Sequence, residues 1–277
     1  MNVWPSHTSP SALGVGNYAT YLSRYLSVVR PPVLSFDHYP LLAGRAVTRD
    51  YFQNWATIRR YSLWANIPSW VFIQSVDFDG RKVGLAPRRR PSRTDLLWQV
   101  NVSLAYGAKG IQYFTYWTPN NGASSFGQAL ISKSGGRTPL YGHARSVNAY
   151  LRSMGRAMLP LRSEAVVHAR RKPPLGAAPF RPDAFARSVA GAPIIIGWFR
   201  RPGEGAKFRY LLAVNASSFA SATSAVTMSP HVVGISRYAV AGRRFVPVQR
   251  RPGERGARRI PLRLGPGEAR LFRLRRR

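Results

Sequence analysis

The 277-residue chain contains no cysteine. That absence excludes a disulfide framework, a thiolate metal site and a cysteine nucleophile. Lysine is scarce as well: Lys82, Lys109, Lys133, Lys172 and Lys207 are the only five among 42 basic residues, and the rest are arginine. Acids number ten, and the first glutamate is Glu164. Carboxylate chemistry before that point therefore falls to Asp37, Asp50, Asp77, Asp79 or Asp95. No apolar run is long enough to span a bilayer, and MNVWPSHTSP lacks a basic region followed by a continuous apolar stretch. Neither a membrane segment nor an export signal is expected within the chain, while export of a longer protein stays open. His7, His38, His143, His168 and His231 are widely separated and none shows ligand spacing, so no metal site and no cofactor is expected.

What is present points to a folded protein. At 45% hydrophobic residues the chain can bury a substantial core, in one large or two medium domains. The net charge of +32 raises nucleic acid or an anionic membrane as a partner. The arginines are scattered, however, as a GC-rich coding bias would leave them. Residues 1–160 carry 18 basic and 5 acidic side chains, and residues 161–277 carry 24 and 5. The clusters RRRPSR and RRPGERGARR fall in expected loops.

Periodicity divides the chain near residue 160. Before it, short apolar strands (NVW at 2–4, VLSF at 33–36, WVFIQ at 70–74, IQYFTYW at 111–117) alternate with amphipathic helices. Tyr18 to Val29 and Phe52 to Leu63 form two of these helices. TDLLWQVNVSLAYGAKG forms the third, with Thr94 as its expected N-cap, and Tyr141 to Met154 the fourth. Such alternation predicts parallel pairing, with each helix as a crossover. Four units make half of an eight-unit barrel, and as an isolated half they would leave strand edges unpaired. After residue 160 come short β-like runs punctuated by turn residues: AVVHAR, PIIIGWF, RYLLAVNAS, ATSAVTM, ISRYAV, RRFVPVQ, RIPLRL and ARLFRL. The expectation is α/β: a partial (β/α)8 TIM barrel over 1–160, then an antiparallel β-sandwich over 161–277.

In a parallel barrel, the side chains that reach substrate sit at the carboxyl ends of strands. VLSF ends in Asp37, His38, Tyr39 and Pro40, and the proline prevents immediate helix formation. WVFIQ leads into Gln74, Ser75, Asp77 and Asp79, and IQYFTYW into Tyr116, Trp117, Asn120 and Asn121. Aromatic faces beside amides and carboxylates suit sugars, whose C–H faces pack on rings while their hydroxyls need hydrogen-bond partners. The plainer alternatives are a loop-bracing Asp37, a satisfied semi-buried His38 and a Trp117 in the core; Tyr113 and Phe114 read as core. GVGNYA at 14–19 lacks the spacing of a dinucleotide loop. A nucleic-acid partner rests on charge alone, and the strand ends resemble a pocket more than an open basic face.

The series NVWPSH, YLSRYLSVVRPPVLSFDHYPLL, IRRYSLWANIPSWVFIQS and RRRPSRTDLLWQVNVSLAYGAKGIQYFTYWTP resembles the last four units of glycoside hydrolase barrels related to the family 42 β-galactosidases. LAYGAKGIQYFTYW carries most of the likeness, being close to their LAYGAxGIxYFxYW pattern. LLAVNAS and LGPGEARLFRL are similar to the β-domain that often follows such barrels. The resemblance implies a retaining glycosidase with two carboxyls about 5 Å apart. It also implies an acid/base glutamate after the fourth strand, upstream of residue 1, and a nucleophile where this chain has Gln74. An amide is a poor nucleophile, so no complete catalytic pair is visible. Asp37 is the best substitute carboxylate and Asp77 the second. His38, Tyr39, Asp77, Tyr116 and Trp117 are expected to contact a carbohydrate or β-glycoside. A non-proline cis peptide is implied after Trp117. Three accounts fit the substituted nucleophile: an N-terminally truncated hydrolase whose chain alone is inactive, a subfamily using another acid, or a carbohydrate-binding pseudo-enzyme.

Overall fold

The computed structural model describes residues 2–120, 122, 125–249 and 258–277. Asn121 and residues 250–257, most of the RRPGERGARR cluster, lie outside the described residues. The structure is mixed α/β, with many strands and few helices. It divides into two compact units: Met1–Leu96, Ala108–Ser146 and Pro174–Gly176 form one, and Leu97–Gly107, Val147–Pro173 and Ala177–Arg277 the other.

In the first unit a short helix α1 (Pro10–Leu13) precedes α2 (Tyr18–Val29), β1 (Leu34–Asp37), α3 (Tyr51–Trp64) and β2 (Ser69–Gln74). The small pair β3 (Phe78–Asp79) and β5 (Ser125–Phe126) flanks β4 (Gly110–Phe114) in sequence. Strands β1, β2 and β4 are parallel in that order, and Val3 adds a parallel bridge to Phe36. Helix α2 starts because the Asn17 side chain accepts from the Thr20 N–H at 2.9 Å, and its buried stripe is Leu22, Tyr25 and Leu26. Helix α3 buries Tyr51, Phe52, Trp55 and Ile58, and Trp55 meets Phe36 edge to face at 4.7 Å.

Register assigns the sheet two unlike faces, since paired residues share a face and neighbours along a strand do not. Leu34, Phe36, Val71 and Ile73 are buried on one face. On the other, Ser35, Asp37, Phe72, Gln112 and Phe114 are half-buried and Trp70 is exposed.

Two local details differ from the sequence reading. The crossover helix α4 (Arg93–Ala105) is capped by Ser92 and not Thr94. The Asp95 N–H donates to Ser92 Oγ at 3.2 Å and the Ser92 N–H returns the bond to Asp95 Oδ2 at 2.8 Å, a reciprocal box in which an aspartate replaces the usual Glu or Gln. The fourth strand stops at Phe114, and the non-proline cis peptide is Phe114–Thr115, not the bond after Trp117.

After α5 (Pro139–Met158), the remaining strands are β6 (Arg162–Ala169), β7 (Ala178–Pro179), β8 (Ala186–Gly191), β9 (Ile194–Arg200), β10 (Phe208–Asn215), β11 (Ala222–Met228), β12 (Val232–Ala239), β13 (Arg244–Pro247), β14 (Arg259–Leu264) and β15 (Ala269–Arg276). They form a seven-stranded sheet, β13-β12-β15-β10-β9-β6-β7, and a three-stranded sheet, β14-β11-β8. Ile196, Trp198, Leu211 and Phe272 from the larger sheet share one core with Val226, Met228, Ile260 and Leu262 from the smaller. Within this unit Trp98 donates to the Ala216 carbonyl, and Asn101 bridges the Tyr150 hydroxyl to the Gly267 carbonyl. Among the described residues, no helix is long and apolar enough to cross a membrane.

Candidate functional site

The carboxyl ends of β1, β2 and β4 lie at the same edge of the parallel sheet, as their register requires. Asp37, the last residue of β1, takes a hydrogen bond from the Asn2 amide at 2.8 Å, and the Tyr39 phenol lies near enough to favour its ionised form. Burial pushes its carboxyl up from the ordinary aspartate value, against the hydrogen bonds and the nearby His7, which favour the ionised form. Burial, with the Asp37 charge beside it, also pushes the Tyr39 phenol up. The Tyr39 ring stacks on Phe114 at 4.7 Å and meets Phe78 edge to face at 5.9 Å. The structure thus joins Asp37 and Tyr39 to an aromatic wall.

Gln74 is wholly buried. Its oxygen accepts from the Leu41 N–H at 3.0 Å, and its nitrogen donates to the carbonyls of Arg89 and Val76 at 2.8 and 3.2 Å. The amide therefore ties the loop after β1 to the loop after β2. Asp77 is half-buried, with Oδ1 lacking a hydrogen-bond partner, and its carboxylate lies against Gly127, where a Cβ would overlap it. Tyr116 and Trp117 are exposed, by 58% and 51%, so both rings are open to a ligand. Their backbone is anchored by the Ile131 N–H, which donates to the Tyr116 carbonyl at 2.8 Å, and by the bridge from Trp117 to Ile131. Asn120 is exposed beyond them.

His38, the first residue past β1, packs against other partners. It is buried, meets Tyr51 edge to face at 5.2 Å, and sits 2.7 Å from Thr48 Oγ1 through Nε2. Around it gather residues that sequence spacing did not single out. His7 Nδ1 lies 3.2 Å from Asp50 Oδ2, His38 Nε2 lies 3.6 Å from Asp50 Oδ1, and the Ser6 hydroxyl donates to Asp50 Oδ2 at 2.9 Å. Burial pushes the His38 imidazole down to about 3, although the Asp50 charge opposes the shift. Burial would raise the Asp50 carboxyl, but the His7 hydrogen bond, the His38 charge and the Ser6 hydroxyl outweigh it and hold it below the usual range. Histidines 31 positions apart carry no motif; only the fold brings them together.

Arg88 and Arg89 are engaged within the protein. Arg88 donates to the Tyr39 carbonyl at 2.6 Å, and Arg89 binds the buried Asp95 through two 2.7 Å contacts.

No protein-family model matches the chain, and no curated protein matches it. Among solved structures, it is similar to a crystal structure of a glycoside hydrolase family 5 from Bacteroides vulgatus ATCC 8482. The TM-score is 0.51 at 9% identity, over 92% of this chain and 53% of that one. A second structure, described as "Glycoside hydrolase", aligns with a TM-score of 0.48 at 10% identity, over 92% and 55%. The chain spans about half the length of the structures it matches. At such identity the likeness concerns fold: the chain has a glycoside hydrolase-like fold, without singling out the family 42 β-galactosidases.

Proposed function

We propose that this chain is a glycoside hydrolase-like protein that acts on or binds carbohydrate. In this reading residues 1–160 are the last four units of a (β/α)8 barrel and residues 161–277 a trailing β-sandwich. The observation that carries it is Asp37 at the end of β1 with the neighbouring Tyr39 ring stacked on Phe114, at the same sheet edge as the strand that leads into exposed Tyr116 and Trp117. A carboxylate held by the Asn2 amide beside open aromatic faces can hold sugar hydroxyls and pack a pyranose ring.

Asp37 is the carboxylate we assign to chemistry, with Asp77 as a substrate contact. Retaining hydrolysis needs a second carboxyl about 5 Å away. The reading takes this group, the acid/base glutamate, from a segment upstream of residue 1. On that account the natural protein is longer, β-galactosidase-like in its barrel, and the chain alone does not turn over substrate. A carbohydrate-binding pseudo-enzyme is the second reading, favoured by the burial of Gln74 among three backbone partners, which leaves it no free group for attack.

The test uses the protein expressed from the whole native gene, with aryl β-glycosides for turnover and a glycan array for binding. Turnover that collapses in Asp37→Asn supports the hydrolase. Binding without turnover that weakens in Trp117→Ala selects the binding protein. Neither turnover nor glycan binding would reject both.

A further inference from the structure

We propose that His7, His38 and Asp50 form a binding site for a divalent transition metal of the zinc class. One ligand atom from each lies within 4.8 Å of the others. A tetrahedral ion with bonds of about 2.0–2.1 Å holds its ligands about 3.3–3.4 Å apart. The Asp50 carboxylate lies between the two imidazoles, with Oδ2 3.2 Å from His7 Nδ1 and Oδ1 3.6 Å from His38 Nε2, so a small closure of the three side chains reaches that spacing. Two imidazoles and one carboxylate are a donor set suited to zinc, copper, nickel or iron.

Asp50 supports the assignment by what it does not do. It occupies the N-cap of α3, where aspartate ordinarily accepts from the first free N–H groups, yet its side chain makes no capping bond. Its oxygens instead face the two imidazoles and the Ser6 hydroxyl. His38 brings the second imidazole to the same carboxylate. Its side chain is wholly buried and Nε2 faces Asp50, so an ion bound there would take the place of the present Thr48 contact.

The site has an entrance and a supporting shell. The His7 side chain is 34% exposed and that of Asp50 22%, so one side opens to solvent, where water can complete the coordination. Ser6 Oγ, 2.9 Å from Asp50 Oδ2, orients that carboxylate. The three ligands come from the segment after Val3, the loop after β1 and the residue before α3. A bound ion would pin these three to one another, independently of the carbohydrate reading.

The experiment titrates untagged, metal-stripped protein with Zn²⁺ by calorimetry against a competing chelator, and with Co²⁺ by visible absorption. His7→Ala and Asp50→Asn are the test variants, and His143→Ala and His231→Ala the controls. His7 is solvent-facing, so its removal leaves the core intact, as circular dichroism will verify. The expected result is a single equivalent of Zn²⁺, a tetrahedral Co²⁺ spectrum, and affinity lowered at least about tenfold in both test variants but unchanged in the controls. Failure to bind would overturn the proposal. So would binding that His7→Ala and Asp50→Asn leave unchanged, or that His143→Ala weakens equally.

Discussion

The side-chain oxygen of Gln74 accepts a hydrogen bond from the Leu41 backbone N–H at 3.0 Å, fastening the end of β2 to the loop that follows β1. With its nitrogen on the carbonyls of Val76 and Arg89, the amide uses both of its chemical ends. A carboxylate could keep the first bond, but it would face two carbonyl oxygens with no proton to offer. Gln74→Glu is therefore expected to destabilise the protein by about 2–4 kcal/mol and to confer no turnover. Urea unfolding and glycoside assays check this; an equally stable variant with new hydrolytic activity would refute the bracing role.

Asp95 is buried, and both terminal nitrogens of Arg89 reach it at 2.7 Å while the Ser92 hydroxyl donates at the same distance. Removing one charge of such a pair strands the other. Asp95→Asn should cost about 3–5 kcal/mol in denaturant midpoints extrapolated to water. A loss below about 1 kcal/mol, the range of a surface pair, would show that the bridge contributes little.

Gly110 has its partner Trp70 directly beside it, and a Cβ at residue 110 would overlap the indole. Gly110→Ala should displace the Trp70 ring and cost about 1–3 kcal/mol, the usual penalty for overpacking. Indole chemical shifts report the displacement; an unmoved Trp70 with full stability would contradict it.

His168 is 2% exposed, and its Nε2 lies 3.0 Å from the Tyr106 hydroxyl. Burial, with the Arg170 charge, holds its imidazole down to about 4. The unfolded chain, with a value of about 6.5, takes up a proton that the folded chain refuses. Stability is therefore full above about pH 6.5 and falls as pH drops toward about 4, by up to about 3 kcal/mol. His168→Gln should flatten that slope by this amount in urea midpoints measured across the window. An unchanged slope would assign the acid sensitivity elsewhere, with His38 the next buried imidazole of the same sign.

The parts of the fold legible in sequence are those written in short-range pattern. ATSAVTM and RIPLRL coincide with β11 and β14 because their side chains alternate between core and solvent. Helices α2 and α3 follow their apolar stripes. Strand β8 was not anticipated: ARSVAG buries only its first residue and offers no alternation, so its strand character comes from pairing with β11.

The strand ends were legible too, since a run of apolar residues that stops must stop somewhere polar. Asp37, Gln74 and Tyr116 follow from that logic, and what each side chain does there does not. Gln74 became a buried brace because Leu41 and Arg89, 33 and 15 positions away, came within hydrogen-bond reach. His7, His38 and Asp50 became a cluster because three separate segments end at one place. Local periodicity depends on neighbours in the chain, and the sequence alone determined it. Which polar atoms meet across loops depends on how the sheet and helices close over distances that no local pattern encodes, and only the tertiary structure decided that.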